Sequence, residues 1–120
     1  MRTTQAKGDI ALSQAIATFT KHGMDVLLPI TESASYDCAV DTIEGIKRVQ
    51  VKYTSNVNGE VYLRCIHSNS KGYVVKKYIA NSYDWLYILR SNGEEYLIKK
   101  CLDGRRSIRT TKDFLIMPNE

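Results

Sequence analysis

Residues 36–54 read YDCAVDTIEGIKRVQVKYT, and their alternation decides the fold. Apolar side chains recur at every second position, as half-buried strands require, and Glu44-Gly45 interrupts them near the middle. The stretch reads as two antiparallel strands joined by a tight turn. Centring the hairpin between Glu44 and Gly45 sets Ile43 opposite Ile46, Ala39 opposite Gln50 and Asp37 opposite Lys52. One face then carries Asp37, Ala39, Asp41, Arg48, Gln50 and Lys52. The other carries Tyr36, Cys38, Val40, Val49, Val51 and Tyr53, a set suited to a core. Any even-numbered loop preserves this division, whereas an odd one requires a bulge.

On the polar face, Asp37, Gln50 and Lys52 converge beside Ala39, which is small enough to leave a pocket. Carboxylate and amide oxygens are hard ligands matched to Mg²⁺, which takes few protein oxygens and keeps several waters. A strand carbonyl such as that of Val51 adds another. Lys52 then stands where it orients a water and stabilises charge developing at a phosphate. This is a plan for metal-assisted phosphodiester hydrolysis. The same residues also suit a surface ion pair between Asp37 and Lys52, worth roughly 0.2–1 kcal/mol.

Upstream of the hairpin, Leu12, Ala15, Ile16 and Phe19 fall at helical spacing, and Gly23 stands where a helix stops, which predicts a helix over Ala6–His22. MDVLLP (24–29) reads as a short buried strand ended by Pro29, and TESAS (31–35) as a loop. Downstream, EVYLRCIH (60–67) reads as a strand after an Asn58-Gly59 turn, and SNSKG (68–72) as a loop. VVKKYIA (74–80) fits either a strand or a short helix. YDWLYILR (83–90) and EYLIKKC (95–101) flank Asn92-Gly93, the strongest hairpin signal in the chain, and FLIMP (114–118) is apolar enough to dock back on the core. One helix followed by many strands defines an α+β class, with the first helix packed on a mostly antiparallel sheet.

At 120 residues, 43% hydrophobic and 25% charged, the chain is expected to form one domain over residues 1–120. It has no apolar run of membrane-spanning length and no signal-peptide pattern, so the expected compartment is the cytoplasm and no membrane partner is expected. Cys38, Cys65 and Cys101 are odd in number and far apart, which argues against a zinc site or a disulfide framework. The net charge of +4 is unevenly spread. Residues 1–60 hold six Lys/Arg against seven Asp/Glu, whereas residues 61–120 hold eleven against six. KKCLDGRRSIRTTK (99–112) alone carries six basic residues and one acid, which suits either a phosphate-binding stripe or a solvated face.

Taken in order, KGDIA (7–11), HGMDVLLPI (22–30), YDCAV (36–40) and RVQVKYT (48–54) resemble the PD-(D/E)XK nucleases. The resemblance is to their intron-associated, cyanobacterial-type homing endonuclease branch. A weaker likeness continues through SYDWLYI (82–88) and EYLIK (95–99). The resemblance implies a restriction-endonuclease-like core of order α-β-β-β-α-β, its N-terminal helix packed on a mixed, mostly antiparallel sheet. It implies a metal-dependent endonuclease of double-stranded DNA, using Mg²⁺ or Mn²⁺ and leaving 5′-phosphate and 3′-hydroxyl ends. Asp37 matches the acidic metal ligand and Lys52 the motif lysine. Gln50 stands where most of the superfamily has an acid, a departure that the homing branch shares.

Leu12 occupies the place where the family often has an acid on the first helix. Asp9, on nearly the same helical face, either serves in its stead through water or simply favours the helix N-terminus. Basic residues expected to meet DNA are Lys76, Lys77, Arg105, Arg106 and Arg109. Cutting both strands implies a homo-oligomer, a dimer or tetramer with two-fold symmetry. Two other readings stay open: a Holliday-junction-resolvase-like nuclease, and a catalytically weak DNA-binding protein on the same fold. Glu32 and Ser33 read either as solvated loop residues or as groups that reach the metal or a DNA phosphate, His22 and His67 as ends of a helix and a strand, and Asp84 as a structural acceptor.

Overall fold

The computed structural model describes residues 3–63 and 82–116 in full and the backbone of 66–69 and 72–75. Helix α1 spans Thr4–Lys21. The Thr3 side chain caps it by accepting the Ala6 N–H at 3.1 Å, and Gly23, at φ +82°, turns the chain out of it. Its buried stripe is Ala11, Ala15, Thr18 and Phe19. The two alanines let the helix backbone approach the sheet closely, and Phe19 meets Trp85 and Tyr87 at tilted ring angles.

Strands follow as β1 (Asp25–Leu27), β2 (Cys38–Thr42), β3 (Gly45–Thr54), β4 (Glu60–Tyr62), β5 (Ile66–Asn69), β6 (Gly72–Val75), β7 (Trp85–Arg90), β8 (Glu95–Ile98) and β9 (Ser107–Arg109). Five form a mixed sheet in the order β1-β2-β3-β7-β8, in which only β3–β7 is parallel. The expected α+β architecture, a helix on a mixed and mostly antiparallel sheet, is what the chain adopts. β4 and β9 make a separate ribbon, and β5 and β6 a hairpin.

Parallel β3 and β7 need a long crossover. Among the described residues it holds β4, β5 and β6 where the resemblance implies a second helix, while 76–81 lie outside them. Two further expectations change. SNSKG does not form a loop throughout, because β5 runs to Asn69 and β6 starts at Gly72. MDVLLP gives not a buried strand but an edge strand, with Asp25 and Leu27 exposed, because among the described residues β1 pairs only with β2.

The hairpin turn is Ile43-Glu44, with Thr42 paired to Gly45. The register therefore differs by two residues from the expected one: Ala39 faces Arg48, not Gln50. Thr42 Oγ1 closes the turn by accepting the Glu44 N–H at 3.2 Å and donating to the Gly45 carbonyl at 2.6 Å. A shift of two leaves the side chains of β2 and β3 on their expected faces, but Tyr36, ahead of β2, packs with the opposite cluster around Leu86 and Ile88 rather than with Cys38. Cys38, Val40 and Val49 pack with Ala11, Ala15 and Phe19 of α1, and Val51 and Tyr53 lie against that cluster.

β7 is buried on both sides, as a central strand between two covered faces must be. Trp85, Tyr87 and Leu89 face α1, while Leu86 and Ile88 join Val61, Tyr83, Tyr96, Ile98, Leu102 and Ile108. Full burial of a Leu or Ile contributes roughly 1.5–3 kcal/mol, so this double-sided strand anchors the sheet. The buried Tyr87 hydroxyl donates to Glu95 Oε1 at 2.6 Å, and Thr18 of α1 donates to the same oxygen, which ties helix to sheet. The C-terminal apolar stretch docks back as expected: Leu115 bridges Tyr96, and the Ile116 N–H donates to the Glu95 carbonyl. No helix among the described residues is long and apolar enough to cross a membrane.

Candidate active site

Asp37 immediately precedes β2 and extends its pairing, because its N–H donates to the Val49 carbonyl at 2.9 Å. Its carboxylate turns back onto β3. Oδ2 accepts from the Val51 N–H at 2.7 Å and from Gln50 Nε2 at 3.0 Å. Lys52 follows two residues on, on the face that Gln50 shares, and its charge acts on Asp37. The chain thus brings Asp37, Gln50 and Lys52 together, with the amide rather than the ammonium directly on the carboxylate. The expected Asp37–Lys52 cross-strand pair is replaced by an Asp37–Gln50 contact, a direct consequence of the two-residue register difference.

Burial pushes the Asp37 carboxyl above the usual carboxylate range, and the Val51 N–H and the Lys52 charge offset this only in part. A half-buried carboxylate with Oδ2 twice bonded, and with no described residue donating to Oδ1, suits a further positive partner. The carbonyls of Arg48 and Thr54 accept from the β7 side, at Asp84 and Ser91, whereas that of Val49 accepts from Asp37. Strand alternation therefore turns the Val51 carbonyl toward the Asp37 side as well. Cys38, beside Asp37 in sequence, points into the α1 core, and burial with the Asp37 charge pushes its thiol up to about 11. It stays protonated and free, as Cys101 is free, while Cys65 lies outside the described residues.

Three contacts whose partners sequence reading did not foresee position this site. Asp84 accepts the Arg48 N–H at 2.8 Å and its Nε at 3.2 Å through Oδ2, while the Asp84 N–H donates to the Arg48 carbonyl. The Arg48 guanidinium holds the Asp84 carboxyl below its usual range. This fastens β3 to the start of β7 two residues before Gln50, and makes Asp84 the structural acceptor expected. Ser35 Oγ donates to the Ser82 carbonyl at 2.8 Å, which tethers the loop that delivers Asp37. Asp103 in turn takes both the N–H and the hydroxyl of Ser82. A Ser two residues before the acid and an Asp at the mouth of a strand were the only signals for these contacts.

The remaining candidates separate clearly. Asp9 is exposed on α1, and helical geometry turns it away from the buried Ala11 and Ala15. Leu12 packs against the α1 core. Glu32 and Ser33 lie exposed in the loop, where Ser33 reaches Thr31. His22 ends α1 with Nδ1 2.8 Å from the Thr18 carbonyl. Among the described residues no three His, Cys, Asp or Glu side chains gather as a metal cage. The side chain of His67, and all of Lys76 and Lys77, lie outside the described residues.

Arg105, Arg106 and Arg109 are exposed. The segment that carries them packs Leu102 and Ile108 against Leu86 and Ile88, the β7 partners of Gln50 and Lys52. Basic segment and polar trio therefore occupy the same side of the sheet.

A helix against a mixed sheet, with a carboxylate before the second strand and a lysine on the third, is the architecture of restriction-endonuclease-like nucleases. The family model described as PD-(D/E)XK endonuclease matches residues 2–103, and the chain belongs to that family. Its structure is similar to that of a bacterial homing endonuclease, I-Ssp6803I, with a TM-score of 0.74 and 26% identity. That likeness covers 92% of this chain and 80% of the other, and supports the homing endonuclease branch within the family. No curated protein matches the chain.

Proposed function

We propose that this endonuclease is metal-dependent and hydrolyses phosphodiester bonds of duplex DNA, in the manner of a homing enzyme. The observation that carries the proposal is the half-buried Asp37 carboxylate, held on β3 by Val51 and Gln50 with Lys52 beside it. The donor set fits a hard cation. Asp37, the Gln50 amide oxygen and the Val51 carbonyl would hold Mg²⁺ or Mn²⁺, and Gln50 need only turn its terminal amide, a soft torsion. Bound there, the ion would supply Lewis-acid polarisation of the phosphoryl oxygen. Asp37 and Gln50 fix the geometry, and Lys52 stabilises negative charge at the phosphate and orients the attacking water.

Arg105, Arg106 and Arg109 would meet backbone phosphates, with Lys76 and Lys77 as further contacts. One protomer offers one such site, so cutting both strands calls for a two-fold homo-oligomer, a dimer or tetramer. Asp9 remains a proposed auxiliary only through water, and its outward exposure weighs against it.

The test is the Lys52→Ala variant. It is expected to keep duplex binding within about twofold while losing Mg²⁺-dependent cleavage by at least about a hundredfold, as removal of a charge-stabilising group does. Undiminished cleavage would sink the assignment. One observation favours a second reading, a DNA-binding protein without catalysis: Asp37 is joined by no second carboxylate in the trio, and Leu12 fills the place of the usual helix acid. Calorimetric titration with Mn²⁺ separates the two, because binding that vanishes in Asp37→Asn supports the nuclease.

A further inference from the structure

The turn between β3 and β4, Ser55-Asn56-Val57-Asn58-Gly59, is built more firmly than a connection requires. Thr54 Oγ1 donates to the Glu60 carbonyl at 2.7 Å and accepts the Asn56 N–H, and Asn56 Nδ2 donates to the same carbonyl at 2.8 Å. The Glu60 N–H donates to Asn58 Oδ1, and the Gly59 N–H to the Asn56 carbonyl. From outside, Thr110 donates through both its N–H and its hydroxyl to the Gly59 carbonyl, and Arg90 Nη2 donates to the Val57 carbonyl at 2.8 Å. Gly59 is buried at φ +75°, with Thr110 Oγ1 only 2.1 Å from where a Cβ would stand.

What this frame holds out is apolar. Val57 is 96% exposed at the tip and Tyr62 is 64% exposed beside it. With Asn56, Asn58 and Glu60 they line an open dish of about 420 Å³. Asn58 spends its oxygen inside the turn, which leaves its Nδ2 as a donor facing out. The dish has no basic lining residue and one carboxylate, so it repels phosphate. Yet it sits on the β4–β9 ribbon, where Arg109 pairs with Glu60 and Arg105 and Arg106 lie just upstream. A rigid apolar tip framed by cations on the side of the sheet that carries Lys52 fits a base edge, not the backbone.

We infer that this turn reads sequence in the major groove of duplex DNA, with Val57 packed on a thymine methyl and Asn58 Nδ2 donating to an acceptor beside it. The inference rests on the endonuclease reading above and adds its specificity element. Preorganisation explains the frame, since a turn already ordered loses little entropy on binding.

The experiment selects bound duplexes from a randomised pool with the full-length Lys52→Ala protein. It then replaces the selected thymine by uracil, which deletes only the methyl. Wild-type Val57 is expected to lose about fourfold in affinity on that replacement, the worth of one buried methyl. Val57→Ser, a change at an exposed position, is expected to bind both duplexes alike, and Asn58→Ala to relax preference at the adjoining position. If selection returns duplexes but no single thymine-to-uracil change matters, or Val57→Ser discriminates as before, the assignment of the turn is wrong while the nuclease reading stands. If no duplex is retained at all, both fall.

Discussion

Replacing Gln50 by Glu supplies the acid that most of the superfamily carries, and the structure says what this does without metal. Gln50 Nε2 lies 3.0 Å from Asp37 Oδ2, so the variant sets two carboxylates in contact. At an effective dielectric of about 20, two unit charges at that distance repel by about 5.5 kcal/mol. Holding one proton on a Glu near pH 7, against its usual pKa of about 4.3, costs about 3.7 kcal/mol. The second is cheaper, so the pair takes up a proton, and the new O–H donates to Asp37 where the amide did. The shared proton raises the folded-state pKa of the pair. Its stability is therefore fully present in acid and is lost as pH rises through that pKa.

The Gln50→Glu variant should accordingly be less stable than the parent by about 3–4 kcal/mol near pH 7, shrinking to about 1 kcal/mol near pH 5. Urea unfolding in the presence of a chelator at the two pH values measures this. Adding Mg²⁺ should recover most of the deficit, because a cation between two carboxylates replaces the proton. An equal deficit at both pH values, or none at either, would show that residue 50 does not meet Asp37.

The Asp37 carboxylate and the Gly59 turn each carry a further expected outcome. Asp37→Asn keeps acceptors for Val51 and Gln50 but removes a buried charge whose pKa is raised; the variant should unfold at higher urea than the parent near pH 7, and the gain should disappear in acid. Lower stability at neutral pH would mean that the carboxylate is already compensated. Gly59→Ala and Gly93→Ala both place a Cβ at positive φ, costing about 1–2 kcal/mol, but only at Gly59 would it strike Thr110. Thermal melts should rank Gly59→Ala lower by a further 1–3 kcal/mol or so, the worth of the two Thr110 hydrogen bonds, and equal melting would contradict the packing of the turn.

The readable parts of the chain were those governed by periodicity. Leu12, Ala15, Ile16 and Phe19 announced α1, Asn92-Gly93 the β7–β8 turn, and the alternation through Cys38, Val40, Val49 and Val51 the core face of the hairpin. The exact partners were not readable. Glu44-Gly45 offered a plausible turn, and nothing local disclosed that Thr42 Oγ1 would close it one residue earlier. EVYLRCIH was read as a strand through His67 and VVKKYIA as strand or helix, but their pairing as β5 and β6 was not readable, because SNSKG is as good a turn as it is a loop and strand pairing there depends on both flanks.

Sequence alone determined which side chains share a face, because the strand period of two survives any even change in loop length. It thereby placed Asp37, Gln50 and Lys52 together and apart from the apolar set. Tertiary structure decided what those residues touch. The Asp84–Arg48 clamp and the Ser35–Ser82 tether, each between residues more than thirty positions apart, hold Asp37 against Gln50 and Val51. The outward turn of Asp9 and the rigid display of Val57 were likewise decided by packing at a distance: α1 rolls to bury Ala11 and Ala15, and Thr110 and Arg90 reach across to fasten the turn. Contacts between distant residues depend on how whole elements pack, and no local pattern encodes that.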